Sequence, residues 1–166
     1  MTAQDTLRIF YEDEEVYEPI RRSLVSVYKL DTIKSGIMRP IKSAYNVKRG
    51  QYDATHLLSY LIRNKGGDVA LWVVDEDIYY EGMNFVFGLA SFGEGAILSR
   101  FRLNSIELIE KEAVHEIGHV LGLNHCPNRC VMHFSNSLLE AMEKPSELCE
   151  SCKRRIKNLR DNVPML

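Results

Sequence analysis

No run in this 166-residue sequence is both apolar and long. The longest apolar stretches, such as Val69-Ala70-Leu71-Trp72-Val73-Val74, fall far short of the ~20 residues a membrane-spanning helix needs. The first residues, MTAQDTLRIFYEDEE, lack a basic region followed by an apolar core, so no secretory leader is expected. An excess of positive charge is also missing. The net charge is -2 and the isoelectric point about 6.2, which argues against a global field for nucleic acid or anionic membrane. The one dense basic cluster is Lys153-Arg154-Arg155 with Lys157. No repeat, low-complexity tract or Pro/Gly/Ser-rich linker interrupts the chain. These absences lead us to expect a cytoplasmic monomer with neither nucleic-acid nor membrane partners. In that compartment thiols stay reduced, so paired cysteines more often hold metal than form disulfides.

What is present is ordinary globular composition, 45% hydrophobic and 27% charged, in a chain long enough to bury a continuous core. Strand and helix patterns alternate through the first two thirds. Leu7–Tyr11 reads as a strand. Glu14–Leu30 reads as an amphipathic helix, with Val16, Ile20, Leu24 and Val27 at three- and four-residue steps. A weaker strand is expected over Ile37–Val47, interrupted by Pro40. Asp53 is placed to cap a helix through Leu57, Leu58, Leu61 and Ile62, closed by Gly66-Gly67. Val69–Val74 is a buried strand. Phe85–Phe92 and Ala96–Phe101 form a hairpin around Gly93-Glu94-Gly95, which makes one of them antiparallel to the rest. Asn104 or Ser105 can cap a helix through Leu108, Ile109, Ala113, Val114, Ile117 and Val120 that stops at Gly122. The fold class is therefore α+β with an α/β-like core: a mixed, mostly parallel twisted sheet with an antiparallel edge strand, packed on helices and followed by a loop-rich tail.

On the last of those helices stands HEIGHVLGLNHCPNRCVMH, His115 to His133. Residues four apart share a helix face, so His115 and His119 can converge on one ion at Zn–N distances near ~2.0–2.1 Å. On a continued helix His125 would lie roughly 15 Å beyond His115. Gly122 resolves this, because glycine can take the left-handed conformation that ends a helix and turns the chain back. Glu116 sits about 100° around the helix from His115 and is placed to lean over a metal-bound water. Three neutral imidazoles leave a zinc ion its full charge and an open position, and Glu116 can take the proton from water and pass it to a leaving amine. That chemistry is peptide hydrolysis. Against it stands the plain reading of a solvated helix with incidental histidines.

All four cysteines lie in one tract, Cys126, Cys130, Cys149 and Cys152. Two close pairs joined by a longer loop match a closed, tetrahedral, structural zinc site. The competing readings are two disulfides or a redox C-x-x-C. Two zinc ions per chain, one catalytic and one structural, are the expectation, and the basic cluster beyond Cys152 would offset the thiolate charge.

H-E-I-G-H-V-L-G-L-N-H-C, then C-V-M, then C-E-S-C, resembles the archaemetzincin family of zinc metallopeptidases, in the metzincin clan. The likeness extends upstream through the strand ending at Asp75 and through Asn84-Phe85-Val86-Phe87-Gly88. The resemblance implies that Met132 is the Met-turn residue, an apolar floor beneath the three histidines. It also implies that the strand around Phe87-Gly88-Leu89-Ala90 is an upper edge strand that pairs with an extended peptide or protein substrate. Two positions depart from the family pattern. Three residues separate Cys126 from Cys130, where four are common, and Phe134 stands where several metzincins have a tyrosine, leaving His133 as a candidate helper. One domain over 1–166 is expected, with a sheet-and-helix part over 1–103 and the active-site helix, Met-turn and structural zinc region over 104–166. Two other functions compete. One is a three-histidine zinc endoribonuclease, disfavoured by Glu116, the cysteines and the acidic charge. The other is a non-catalytic zinc module that binds protein partners.

Overall fold

The computed structural model describes residues 6–162. Its central sheet has the strand order β2-β1-β5-β8-β7, built from β1 (Thr6–Tyr11), β2 (Asp31–Ile37), β5 (Val69–Val74), β7 (Gly88–Ser91) and β8 (Gly95–Ser99). Strands β2, β1, β5 and β8 are parallel, and β7 closes one edge antiparallel to β8. A small second sheet joins β3 (Tyr45–Asn46), β4 (Gln51–Asp53) and β6 (Ile78–Tyr79).

The reason for this layering is legible in β5. Every residue of β5 is buried. Val69, Leu71 and Val73 enter one apolar cluster, while Ala70, Trp72 and Val74 enter another on the opposite face. A parallel strand covered on both sides has no polar face to present, so it reads as a continuous hydrophobic run. On the first face lie α1 (Tyr17–Tyr28) and α3 (Ile106–Val120), contributing Ile20, Leu24, Tyr28, Ala113, Val114 and Ile117. On the second lies α2 (Ala54–Asn64), with Leu57, Leu58 and Leu61 turned inward. Asp53 caps α2 as expected, its carboxylate accepting from the Thr55 and His56 N–H groups.

Two expectations are corrected. The strand placed at Ile37–Val47 lies one element earlier, at Asp31–Ile37. Residues 38–44 form irregular chain and a short 3-10 turn, and only Tyr45–Asn46 pairs. Strand β2 is an edge strand with little alternation in burial, a left-handed Gly36 (φ 99°) and a register shift against Ile9/Phe10, so periodicity could not reveal it. The first helix begins as a 3-10 turn at Glu14–Val16 and ends at Tyr28, where Lys29 turns left-handed (φ 56°). The tail is loop-rich as expected, with two helices set in it. It carries α4 (Leu138–Glu143) and α5 (Glu150–Asp161), and α5 buries Cys152 and Ile156 one turn apart. No helix among the described residues is long and apolar enough to cross a membrane.

Candidate metal centres and active-site cleft

Helix α3 runs between the sheet and the tail, and most of it is buried, including Lys111, Glu112, His115 and Glu116. Ser105 caps it, Oγ accepting from the Leu108 N–H at 3.2 Å. It closes with two bonds that satisfy its last carbonyls: Leu123 N–H to Gly118 O at 2.9 Å and Gly122 N–H to His119 O at 3.1 Å. Gly122 at φ 107° makes this turn possible and swings the chain back. His125 thereby returns to the helix, its ring 4.8 Å from that of His119 and 5.4 Å from that of His115.

One ligating atom from each of the three histidines lies within 4.8 Å of the others. The rings are oriented as metal ligation requires. His115 Nδ1 is 2.8 Å from Val131 O, and His119 Nδ1 is 2.8 Å from Leu123 O. A carbonyl only accepts, so each Nδ1 carries the hydrogen and each Nε2 keeps its lone pair free. Those two Nε2 atoms are 3.2 Å apart. Two nitrogens on one tetrahedral zinc stand about 3.4 Å apart at ~2.0–2.1 Å bonds, so the donor set fits. Burial pushes the His115 imidazolium pKa well below the ordinary value, with Lys144 reinforcing the shift, and burial lowers that of His119 as well. Both rings are held in the neutral form that binds metal.

Glu116 is buried next to the histidines, under the start of edge strand β7. A Cβ at Gly88 would come within 2.7 Å of the Glu116 Cγ and Cδ atoms and of Ile97 O. Only glycine leaves the carboxylate its space. Burial raises the Glu116 carboxyl to about 8, the Glu112 carboxylate adds to the rise, and Lys144 opposes it. Met132 is fully buried below, its Sδ packed so tightly against Gly118 that an added Cβ there would sit 2.4 Å away.

The thiols of Cys126, Cys130, Cys149 and Cys152 also converge within 4.8 Å. Cys126 Sγ and Cys149 Sγ are 3.7 Å apart, against about 3.8 Å for two sulfurs on one tetrahedral zinc and ~2.05 Å for a disulfide. All four cysteines are free. The Cys130 sulfur accepts from the Met132 and Cys149 N–H groups, and the Cys152 N–H holds the Cys149 thiol down to about 6. The donor chemistry and spacing fit a thiolate-bound ion.

A family model, Peptidase family M54, matches residues 13–158. The chain belongs to this family. Archaemetzincin from Nanoarchaeum equitans is 44% identical over 145 residues, covering 82% of this chain and 85% of that protein. Archaemetzincin from Archaeoglobus fulgidus is 42% identical over 147 residues, covering 84% and 90%. The crystal structure of the A. fulgidus archaemetzincin, complexed with malonate, superposes with TM-score 0.84 at 38% identity, covering 90% of this chain and 99% of that one. That of the Methanopyrus kandleri archaemetzincin superposes with TM-score 0.86 at 32% identity, covering 94% and 95%. The chain is an archaemetzincin-type zinc metallopeptidase.

The three histidines and Glu116 open onto a cleft of about 610 Å³ between β7 and α3. Strand β7 and α3 run in the same sense, with Gly88 beside Glu116 and Phe92 beside Gly122. Beside Gly122 the lining includes Phe92, Leu123 and Leu159, and in the segment before Gly88 it includes Phe85, Val86 and Phe87. Glu112, Asn124, Ser135 and Asn136 add polar groups to it. The structure brings together the histidines, Glu116 and Met132 in one place and the four cysteines in another, as their spacing led us to expect. Beside them lie Glu112 and Lys144, which sequence reasoning passed over. Glu112 had a signal, since it lies four residues before Glu116 on the same helical face. Lys144 had none, because only the tertiary fold brings it from the end of α4 to α3, where it pairs with Glu112 at 2.8 Å.

Proposed function

We propose that His115, His119 and His125 hold the catalytic zinc, that Cys126, Cys130, Cys149 and Cys152 hold a second, structural zinc, and that Glu116 is the general base of peptide hydrolysis. When bound at the histidines, zinc supplies Lewis acidity that polarises a peptide carbonyl and acidifies water. Glu116 accepts the proton of the attacking water and delivers it to the leaving amine, its position fixed by the Gly88 backbone above and the body of α3 below. Met132 provides an apolar floor that fixes the helix beneath the histidines. Strand β7 supplies the substrate rail. Among the described residues it pairs only with β8, and the Ser99 N–H to Phe87 O bond sets the phase so that the backbone polar groups of Gly88 and Ala90 face outward. An extended peptide can add there as a further strand. The supporting observation is the convergence of three imidazoles, two with Nε2 freed by carbonyl partners, beside a buried carboxylate in one cleft.

The test is Glu116→Gln. The variant should keep two equivalents of zinc and the parent's thermal stability, while hydrolysis of a peptide library falls by about 10²–10⁴-fold. Activity within tenfold of the parent, or loss of a zinc equivalent, would overturn the assignment. Cleavage of structured RNA without cleavage of peptides by the parent would favour the endoribonuclease, and turnover of neither would favour a binding module.

A further inference from the structure

The cleft wall that precedes β7 is held lightly by backbone bonds. Between β6 and Gly88 the chain makes a turn closed by Met83 N–H to Tyr80 O, then meets the sheets through Val86 N–H to Ile78 O and Ser99 N–H to Phe87 O. Tyr80, Met83, Phe85 and Phe87 of this segment line the cleft. Backbone carbonyls that no strand takes up need other donors. Those of Met83 and Asn84 find them in side chains. Arg49 Nη2 donates to Met83 O at 2.7 Å and to Asn84 O at 3.1 Å, and Gln51 Nε2 donates to Asn84 O at 2.9 Å. Arg49 Nε is itself fixed on Gln51 Oε1 at 2.9 Å, and its guanidinium lies 4.0 Å from the centre of the Tyr79 ring. A second arginine reaches the same segment from the end of β8. Arg102 grips the two oxygens of Asp77 with Nε and Nη2, each at 2.8 Å, and its guanidinium stands 4.2 Å from the centre of the Phe85 ring. That ring meets Phe87 edge-on at 5.2 Å. Asp77 also accepts from Gln51 Nε2 at 3.0 Å, so both arginines belong to one network, with Gln51 and Asp77 buried at its centre. A buried polar network whose members are all met rigidifies what it holds.

We infer that Arg49 and Arg102 are positioning residues for substrate binding: through Met83, Asn84 and Phe85 they hold the cleft wall before Gly88 in the conformation that receives an extended peptide. Neither arginine lines the cleft, so each acts through the segment it grips. The inference rests on the proposed zinc site and substrate rail and says what keeps the rail's approach in place. When only a fraction of molecules has the wall formed, apparent affinity falls by that fraction. A ligand that passes Phe85 feels the loss in full. A ligand confined to the zinc does not.

Three hydroxamates, bound to the zinc-loaded protein and followed by calorimetry, test this. Acetohydroxamate reaches the zinc alone. Two leucine tripeptide hydroxamates carry their peptide before or after the zinc-binding group, so one extends towards Phe85 and the other away from it. The variants are Arg49→Ala, at an exposed side chain, and the double variant Arg49→Ala, Arg102→Gln, in which the new amide leaves Asp77 a donor. A net hydrogen bond corresponds to roughly threefold to tenfold in the population it supports. We expect one tripeptide to bind about threefold more weakly to the single variant and at least about tenfold more weakly to the double variant. The other tripeptide and acetohydroxamate should stay within about twofold of the parent, with both zinc equivalents retained. Unchanged affinity of both tripeptides in the two variants overturns the inference. So does an equal loss for all three ligands, which would mark a general loosening of the fold. If the parent binds acetohydroxamate but neither tripeptide more tightly, the inference falls and the zinc site stands. If it binds none of the three, both fall.

Discussion

The two proposed metal-binding groups are sequence neighbours, His125 next to Cys126, but they are built by opposite means. Two of the three histidines stand on a helix clamped between sheet and tail, with side chains aimed by the carbonyls of Val131 and Leu123. Their group opens onto a cleft. The cysteines come from a loop and from the start of α5, and three of the four are buried. The helix that carries His115 would exist without an ion, because Ala113, Val114 and Ile117 pack it on the sheet. The loop from Cys126 to Cys130 is held at its buried ends, with the Cys126 N–H on Met132 O, while Pro127, Asn128 and Arg129 between them are exposed. On the proposed assignment, an ion at the histidines would be a reagent held by a finished scaffold, while an ion at the cysteines would be part of the scaffold. Open coordination demands rigidity from the protein, and closed coordination supplies it.

The sharpest way to break that contrast is to remove one ligand from each group. Cys149→Ser should drop bound zinc from two equivalents to one and lower Tm by at least about 10 °C, since structural zinc contributes several kcal/mol to folding and each is worth ~2–4 °C at this size. His119→Ala should also lose one equivalent and abolish hydrolysis, with a clearly smaller fall in Tm and an intact cooperative transition. Elemental analysis and calorimetry on both variants decide it. If the histidine variant is the less stable of the two, the division into reagent and scaffold is wrong.

Gly118 tests the point where the two regions meet. It lies on α3 between His115 and His119, against Met132, whose backbone carbonyl accepts the Cys126 N–H at 2.9 Å. Alanine there would gain helix propensity of up to ~1 kcal/mol. Its Cβ, however, would stand 2.4 Å from Met132 Sδ and 2.7 Å from the Tyr28 hydroxyl, and overpacking typically costs about 1–3 kcal/mol. We expect Gly118→Ala to lose about 1–2 kcal/mol net by denaturant unfolding and to weaken zinc retention. A stabilised variant would show that the Met132 floor yields freely and couples nothing.

How much of this was legible beforehand follows the same division. The histidine group could be read because a helix converts spacing directly into geometry, and Gly122 announced the turn that returns His125. The cysteine group could be read because few arrangements satisfy four clustered thiols. Strand β5 was legible from its composition. Strand β2 was not, because an edge strand with Gly36 and a register shift carries no clean period. The Glu112–Lys144 pair was illegible for a different reason. Its partners come from separate elements, and an ion pair spanning 32 positions leaves no trace in local pattern.

The smallest expected effect asks whether support for α3 can be weakened without disturbing either metal. The Tyr28 hydroxyl, fully buried in α1, donates to Val114 O at 2.8 Å, one residue before His115. That carbonyl lies inside α3 and keeps its helical partner four residues on, at Gly118. Tyr28→Phe therefore removes a second bond to the carbonyl, not its only one, and leaves no donor stranded, because the hydroxyl goes with it. The cost should fall in the lower part of the range for a buried hydrogen bond, about 1 kcal/mol, or ~2–4 °C in Tm. Zinc content should stay at two and hydrolysis should change less than threefold, because the helix is held by packing along its whole length. A loss of zinc from the histidines in Tyr28→Phe would mean that a single remote hydroxyl sets their geometry. The scaffold on that side would then be as fragile as the cysteine loop.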